Sequence, residues 1–379
     1  MEYRRFGKTN KEISVITLGG MRYKKGWDSP RDELPQESID NCLEITDHAL
    51  KEGINHIETA YGYGKSENLY GLVLDELKVD RNSYCIMTKG TASTGDEMRA
   101  RVDDQLKSLR LDKIDFYGYH GINNLEIFNQ ATKENGPVEA LLELKEEGVI
   151  GSVGFSTHAD VKIILDTIMT DMFDFMNLHF YYFFQRNLAA VELAKHKDMG
   201  VFIISPNEKG GKLFNPSQKV ADICSPLSPI QFNARFCLSH SQITTLSFGL
   251  NELDHFKELD GMFNNELYLN GSDRKIKLEL DNCVNELGDS YCTTCGDCMP
   301  CPEDINIPEI LRFRNMSKAY DMIDFGKFRY NMLESKGHWF PGTYGNACTD
   351  CGDCLPKCPV QLNIPELLRS THQELFIEK

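Results

Sequence analysis

Eight of the thirteen cysteines fall in two short runs near the C-terminus. The first is Cys292, Cys295, Cys298 and Cys301, followed by Pro302; the second is Cys348, Cys351, Cys354 and Cys358, followed by Pro359. Thiolates at i, i+3 and i+6 can hold three irons of one cubane, and a Cys-Pro that follows turns the chain away from it. Two runs therefore predict two [4Fe–4S] clusters. The rival reading, a pair of all-cysteine zinc sites, usually presents separated C-x2-C pairs and not four cysteines bunched together. A disulfide framework belongs to small secreted chains, and nothing here looks secreted. The remaining Cys42, Cys85, Cys224, Cys237 and Cys283 are scattered, and free buried Cys packs as a small hydrophobe.

The second run carries the full spacing of bacterial ferredoxins, and the first is one residue shorter between its third and fourth cysteines. In two-cluster ferredoxins the fourth Cys of each run ligates the other cluster. Cys301 is then expected to serve the second cluster and Cys358 the first.

A second set of residues able to do chemistry is Glu58, Tyr63, Lys89 and His120. A phenol is a poor acid at its free pKa of about 10, but a nearby ammonium favours the phenolate and lets it donate a proton near neutral pH. Lys89 could supply that charge. A carboxylate beside Lys89 would hold it cationic and in place, and His120 could donate a hydrogen bond to a carbonyl oxygen beside the Tyr. Together these residues predict proton delivery to a carbonyl.

To act together they must be brought together by a scaffold. Short apolar segments at 13–18, 56–59, 85–88, 114–119, 152–155, 175–178, 201–205 and 243–248 read as strands. Between them lie helical patterns at 39–50, 67–77, 97–109, 138–147, 161–167 and 188–197. Eight strands alternating with helices predict parallel pairing, and the count favours an α/β fold of the (β/α)8 TIM barrel type over an open sheet. Catalytic groups of such a barrel gather at the C-terminal ends of strands, where all four residues of the second set would stand. Gly53, Gly148 and Gly200 read as helix C-caps just before strands.

A helical pattern at 274–287 closes the barrel domain, assigned to residues 1–284; residues 285–379 form a small iron–sulfur domain. Each Cys-Pro there is followed by a matching tail, Asp304-Ile305-Asn306-Ile307-Pro308-Glu309 and Gln361-Leu362-Asn363-Ile364-Pro365-Glu366. In both, Asn-Ile-Pro opens a helix. Residues 310–333 read as mostly helical, broken near 324–326, so this domain is helical and not β-rich.

At 379 residues and 41% hydrophobic content the chain can build a proper core. Its first residues lack the apolar stretch of a signal peptide, and no run reaches the eighteen or so apolar residues of a membrane span. A net charge of -16 disfavours nucleic acid and anionic membrane as partners, since both need a basic surface. The expected location is cytoplasmic. Thiolate ligands without a disulfide pattern point to a reducing compartment, and exposed cubanes to an organism living with little oxygen.

The chain resembles the aldo-keto reductase family, and within it the branch with a C-terminal ferredoxin-like domain. The resemblance spans nearly the whole chain. It is carried by Tyr3-Arg4-Arg5-Phe6-Gly7-Lys8-Thr9, by Ser14-Val15-Ile16-Thr17-Leu18-Gly19-Gly20-Met21, by Tyr63-Gly64-Lys65-Ser66-Glu67 and by Gly151-Ser152-Val153-Gly154-Phe155-Ser156-Thr157-His158. It implies that the family's tetrad of Asp, Tyr, Lys and His falls on Glu58, Tyr63, Lys89 and His120. Glu58 departs from the Asp, and its extra methylene can shift Lys89 or push the carboxylate toward the phenol.

The resemblance also implies NADP or NAD, with the nicotinamide at the strand tops and the phosphates near strands seven and eight. Gly20 and Met21 are among the positions it assigns to the cofactor. Ser156, Thr157 and Asn177 would face the carboxamide. Ser205, Lys209, Lys212 and Gly249 lie in segments that resemble those cradling the pyrophosphate and adenosine. Ile204 stands where many members carry the aromatic on which nicotinamide stacks, and between Leu246 and Phe256 no Lys or Arg meets a 2′-phosphate. The run Phe180 to Phe184, and Tyr23, Trp27 and residues 121–135, suggest a substrate pocket of mixed polarity.

The implied function is an oxidoreductase interconverting a small-molecule carbonyl and alcohol, its clusters linked to an electron carrier such as a ferredoxin or flavoprotein. Nicotinamide moves two electrons as hydride, whereas a cubane takes one. The sequence shows no flavin fingerprint that would split the pair. The alternative is an electron-transfer or interaction protein whose barrel no longer performs nicotinamide chemistry and whose clusters serve a partner or are structural.

Overall fold

The computed structural model describes residues 1–24, 30–208, 211–264 and 266–378. Trp27 and Lys209 lie outside the described residues. The chain divides into two compact units, Met1–Lys209 with Asn233–Tyr268, and Gly210–Phe232 with Leu269–Lys379. No helix among the described residues is long and apolar enough to cross a membrane.

The first unit is a closed barrel of eight parallel strands: β1 (Ile16–Gly19), β2 (His56–Glu58), β3 (Cys85–Gly90), β4 (Ile114–His120), β5 (Ile150–Ser156), β6 (Phe175–Leu178), β7 (Gly200–Ile203) and β8 (Thr245–Phe248). Neighbours pair in sequence order and β8 closes on β1. Helices such as Gln36–Lys51, Ser66–Glu76 and Gly95–Leu109 fill the crossovers, as the alternation predicts. Register sets what meets what. Glu58 pairs with Gly19 and Met87, Lys89 with Gly118, His120 with Ser156, and Ser156 with Asn177.

The barrel floor is plugged from the N-terminus. Tyr3–Arg5 and Glu12–Ser14 form an antiparallel pair, and the turn between them drives Phe6 into a core with Met87, Phe116, Phe175 and Phe202. The Phe6 ring lies 5.1 Å from Phe116 and 5.3 Å from Phe175. Truncating such a ring to Ala costs about 3–5 kcal/mol. Gly53 and Gly148 hold the left-handed backbone expected of caps, at φ 88° and 80°. Gly200 does not. Asp198 takes the left-handed position at φ 50°, while Gly200 opens β7 because a Cβ there would strike the Phe6 ring at 2.4 Å.

One layer above the floor, His56 is fully buried. Its Nδ1 lies 2.8 Å from Thr17 Oγ1, which is 2.7 Å from Thr245 Oγ1, while Nε2 has no partner among the described residues. Burial, then the charge of Lys89, pushes its pKa down to about 3. The folded state therefore holds His56 neutral where the unfolded chain, at about 6.5, takes up a proton. Its contribution is present above pH 6.5 and is lost as pH falls toward 3, by about 1.4 kcal/mol per pH unit. The variant His56→Gln should show a shallower loss across that window when urea midpoints are compared at neutral and acid pH. An unchanged slope would mean the ring is not held neutral.

The second unit is helical, with Gly271–Asn285, Ile307–Tyr320, Ile323–Tyr330 and Ile364–Leu375 as its main elements. Two of these open at the predicted Asn-Ile-Pro steps. The break expected near 324–326 falls earlier, where Asp321 turns left-handed at φ 54°. Gly326 is instead inside a helix, where a Cβ would meet Ser317 Oγ at 2.2 Å; it is small so that two helices can touch. Between these helices Glu309 is buried against Arg312 at 3.1 Å and Arg329 at 3.8 Å.

Candidate functional site

The end of β2 and the turn after it, with the ends of β3 and β4, place Glu58, Tyr63, Lys89 and His120 together inside the barrel unit. Glu58 and Lys89 are buried, while Tyr63 and His120 are half-buried. The Lys89 ammonium contacts Glu58 Oε1 and donates to the Thr59 carbonyl at 2.8 Å. Tyr63 donates its hydroxyl to the same Glu58 oxygen at 3.3 Å, and Ser247 donates to Glu58 Oε2 at 3.3 Å. Lys89 Nζ sits 5.0 Å from the Tyr63 ring centre, and the His120 ring meets that ring edge-on at 5.9 Å. The longer acidic side chain thus stands between the cation and the phenol.

This arrangement reverses the electrostatics expected from Lys89 alone. Burial, and then the adjacent Glu58 carboxylate, raises the Tyr63 pKa well above the usual phenol range; Arg22 pulls weakly the other way. Burial pushes the Lys89 ammonium below its usual range, against the pull of Glu58. Tyr63 is accordingly protonated at neutral pH, and the Lys89 ammonium meets the phenol only by way of Glu58.

Several contributors were not legible in the sequence. Thr59 reaches Lys89 through its carbonyl, which no side-chain pattern announces. Glu67, fully buried, accepts from Thr88 Oγ1 and Gln105 at 2.5 Å each and pairs with Arg31 at 2.9 Å. Gln105 also donates to the Lys89 carbonyl at 3.2 Å, so this network braces the strand that carries Lys89. Arg22 packs across Gly249, where a Cβ would lie 2.9 Å from its Cγ.

The residues expected at a nicotinamide are partly assembled. Gly20 is pressed by Ser66 and Tyr70, each 2.4 Å from where a Cβ would be, and its amide is tied to the Glu58 carbonyl at 2.8 Å; Met21 follows on the turn. Ser156 Oγ accepts from the Gly121 amide at 3.0 Å, and Thr157 Oγ1 donates to the Ile122 carbonyl at 2.7 Å. Asn177 is fully buried, with its amide nitrogen near Met87 Sδ and its Oδ1 without a partner among the described residues. An amide N–H₂ is the kind of group that oxygen lacks. Ser205, exposed, stands in the left-handed region at φ 49°, and Ile204 packs on the barrel core. Lys212 lies in the second unit, with its ammonium 4.4 Å from the Phe328 ring centre.

In the second unit the cysteines rim two cavities. One is walled by Cys301 with Cys348, Cys351 and Cys354, the other by Cys292, Cys295 and Cys298 with Cys358; Cys298 reaches both walls. Each cavity therefore takes the last cysteine of the opposite run. Among the described residues no three His, Cys, Asp or Glu side chains converge as ligands of a single ion do. Four thiols spread around each cavity suit the corners of a [4Fe–4S] cubane.

Residues 15–266 match the family described as Aldo/keto reductase family, and residues 291–363 match the 4Fe-4S dicluster domain. Methylglyoxal reductase DkgA of Escherichia coli (strain K12) is 32% identical over 148 residues, covering 38% of this chain and 51% of that protein. The chain thus spans about half the length of that relative. The protein named Uncharacterized oxidoreductase YqkF, of Bacillus subtilis, is 22% identical over 296 residues, covering 68% and 90%. Among solved structures, aldo-keto reductase AKR11C1 from Bacillus halodurans superposes with TM-score 0.59 at 19% identity, covering 74% of this chain and 96% of that one. That likeness speaks for the fold alone.

Proposed function

The chain belongs to the aldo/keto reductase family and carries a C-terminal 4Fe-4S dicluster domain, and from that premise we propose that its barrel interconverts a carbonyl and an alcohol with NAD(P)(H). Two [4Fe–4S] clusters would link it to a one-electron carrier such as a ferredoxin or flavoprotein, in the cytoplasm of an organism living with little oxygen. The observation that carries this reading is the convergence of Tyr63 and Lys89 on Glu58, with His120 edge-on to the Tyr63 ring.

Tyr63 donates the hydroxyl proton to the carbonyl oxygen, and His120, edge-on beside it, orients that oxygen. Glu58 holds the proton on Tyr63 until it is needed and keeps Lys89 in place. Asn177 Oδ1 and the Ser156 hydroxyl orient a carboxamide, and Lys209 and Lys212 are assigned to the phosphates. Nicotinamide, when bound, supplies the hydride; the clusters, held by the two sets of four cysteines, supply single electrons.

The test uses protein purified without oxygen, mixed with NADPH or NADH and a panel of aldehydes and 2-oxoaldehydes, methylglyoxal among them. Carbonyl-dependent loss of reduced nicotinamide is expected with at least one. No turnover with any carbonyl, and none with the matching alcohols and oxidised nicotinamide, would sink the proposal. The second reading, a barrel without nicotinamide chemistry, is favoured by Glu58 in place of Asp and by Ile204 in place of an aromatic. Micromolar binding of either nicotinamide in a titration would count heavily against it.

A further inference from the structure

We infer that the two cluster sites are electrically unlike, so that the first electron to enter the domain settles on the cluster held by Cys292, Cys295, Cys298 and Cys358. This rests on the cluster reading of the eight cysteines and not on carbonyl chemistry in the barrel. Among the described residues the wall of that cavity bears no ionisable side chain besides its thiols. The amides of Thr294 and Leu362 donate to Cys292 Sγ and Cys358 Sγ, each at 3.4 Å. Arg314 is fastened to Ser290 by bonds of 2.9 and 3.1 Å, and its charge acts on Glu374 as well as on Cys292.

The other wall differs in charge. Glu303 and Asp353 line it, and neither has a basic partner among the described residues; Asp350, beside Cys351, is offset by Arg369 at 2.6 Å, whose charge also acts on Cys348. The Thr349 hydroxyl donates to Glu303 Oε1 at 3.0 Å and holds that carboxylate at the rim. Reduction adds one electron and one negative charge to a cluster, with no bond or proton changed. Each site has an arginine to stabilise that charge, and the unpaired carboxylates oppose it at the second site alone. Hydration acts on both sites, since Cys295 and Cys351 are each exposed. Fixed charge is what separates them.

The experiment is a potentiometric titration of the full iron-loaded chain without oxygen, with dithionite as reductant and EPR as readout. Two one-electron waves are expected, at least tenfold apart in equilibrium constant, or 59 mV. Glu303→Gln should raise the lower-potential wave alone and narrow the gap, and Arg314→Gln should lower the higher wave alone. If Glu303→Gln loses iron, Asp353→Asn on the same wall gives the same readout. A single unresolved wave, or a carboxylate variant that leaves the gap unchanged or moves the higher wave, overturns the inference. Two separated waves in a protein that turns over no carbonyl would leave it standing while sinking the barrel proposal.

Discussion

Tyr63→Phe is expected to lower the rate of NAD(P)H-dependent carbonyl reduction by about 10²–10⁴-fold, the usual contribution of a positioned proton donor. That is roughly 3–5 kcal/mol of barrel-bound transition-state stabilisation. The ring itself stays: Phe can keep the edge contact with His120 and the face offered to Lys89. Affinity for NADPH or NADH should accordingly change little, which separates lost chemistry from lost binding. The pH profile adds a second check. Because burial and Glu58 raise the phenol pKa, the reductive rate should hold from neutral pH into the alkaline range before the proton is lost. Glu58→Asp, whose shorter carboxylate withdraws from the phenol, should bring that alkaline limb down. Equal turnover in Tyr63→Phe and the parent would remove Tyr63 from the chemistry.

Lys89→Met should strongly destabilise the barrel. Glu58 is buried and depends on the Lys89 ammonium as its cation, and breaking one side of a buried pair costs about 3–5 kcal/mol. Removing both charges at once, in Glu58→Gln with Lys89→Met, should recover much of that loss, because no lone charge is left inside. Urea midpoints of the parent, single and double variants decide it. A single variant within about 1 kcal/mol of the parent, or a double variant no better than the single, would mean the pair is not the buried couple described.

The barrel was legible because its signal is periodic: eight apolar runs and their intervening helices must repeat for each strand to be covered, so small boundary errors do not disturb the count. The ends of strands two, three and four were legible for the same reason. What escaped was contact between residues far apart in sequence. Glu67 finds Arg31 and Gln105 across 36 and 38 positions, and no local pattern records such a meeting. The sign of the effect on Tyr63 also escaped, since it depends on whether Lys89 or Glu58 stands nearer the hydroxyl, a matter of ångströms. The helix break falls before 324–326, since Gly326 sits inside a helix, where its size lets Ser317 approach.

The sharing of cysteines between the two cavities has a consequence for how the protein is made. While the second run is still inside the ribosome, the first offers an incoming cluster three thiols and an unrelated fourth, because Cys358 has not yet arrived. Neither centre can be completed from one end of the chain. On the proposed two-cluster reading, maturation would be joint, and so would damage: oxygen that strips iron from one cavity would also free the cysteine loop that closes the other.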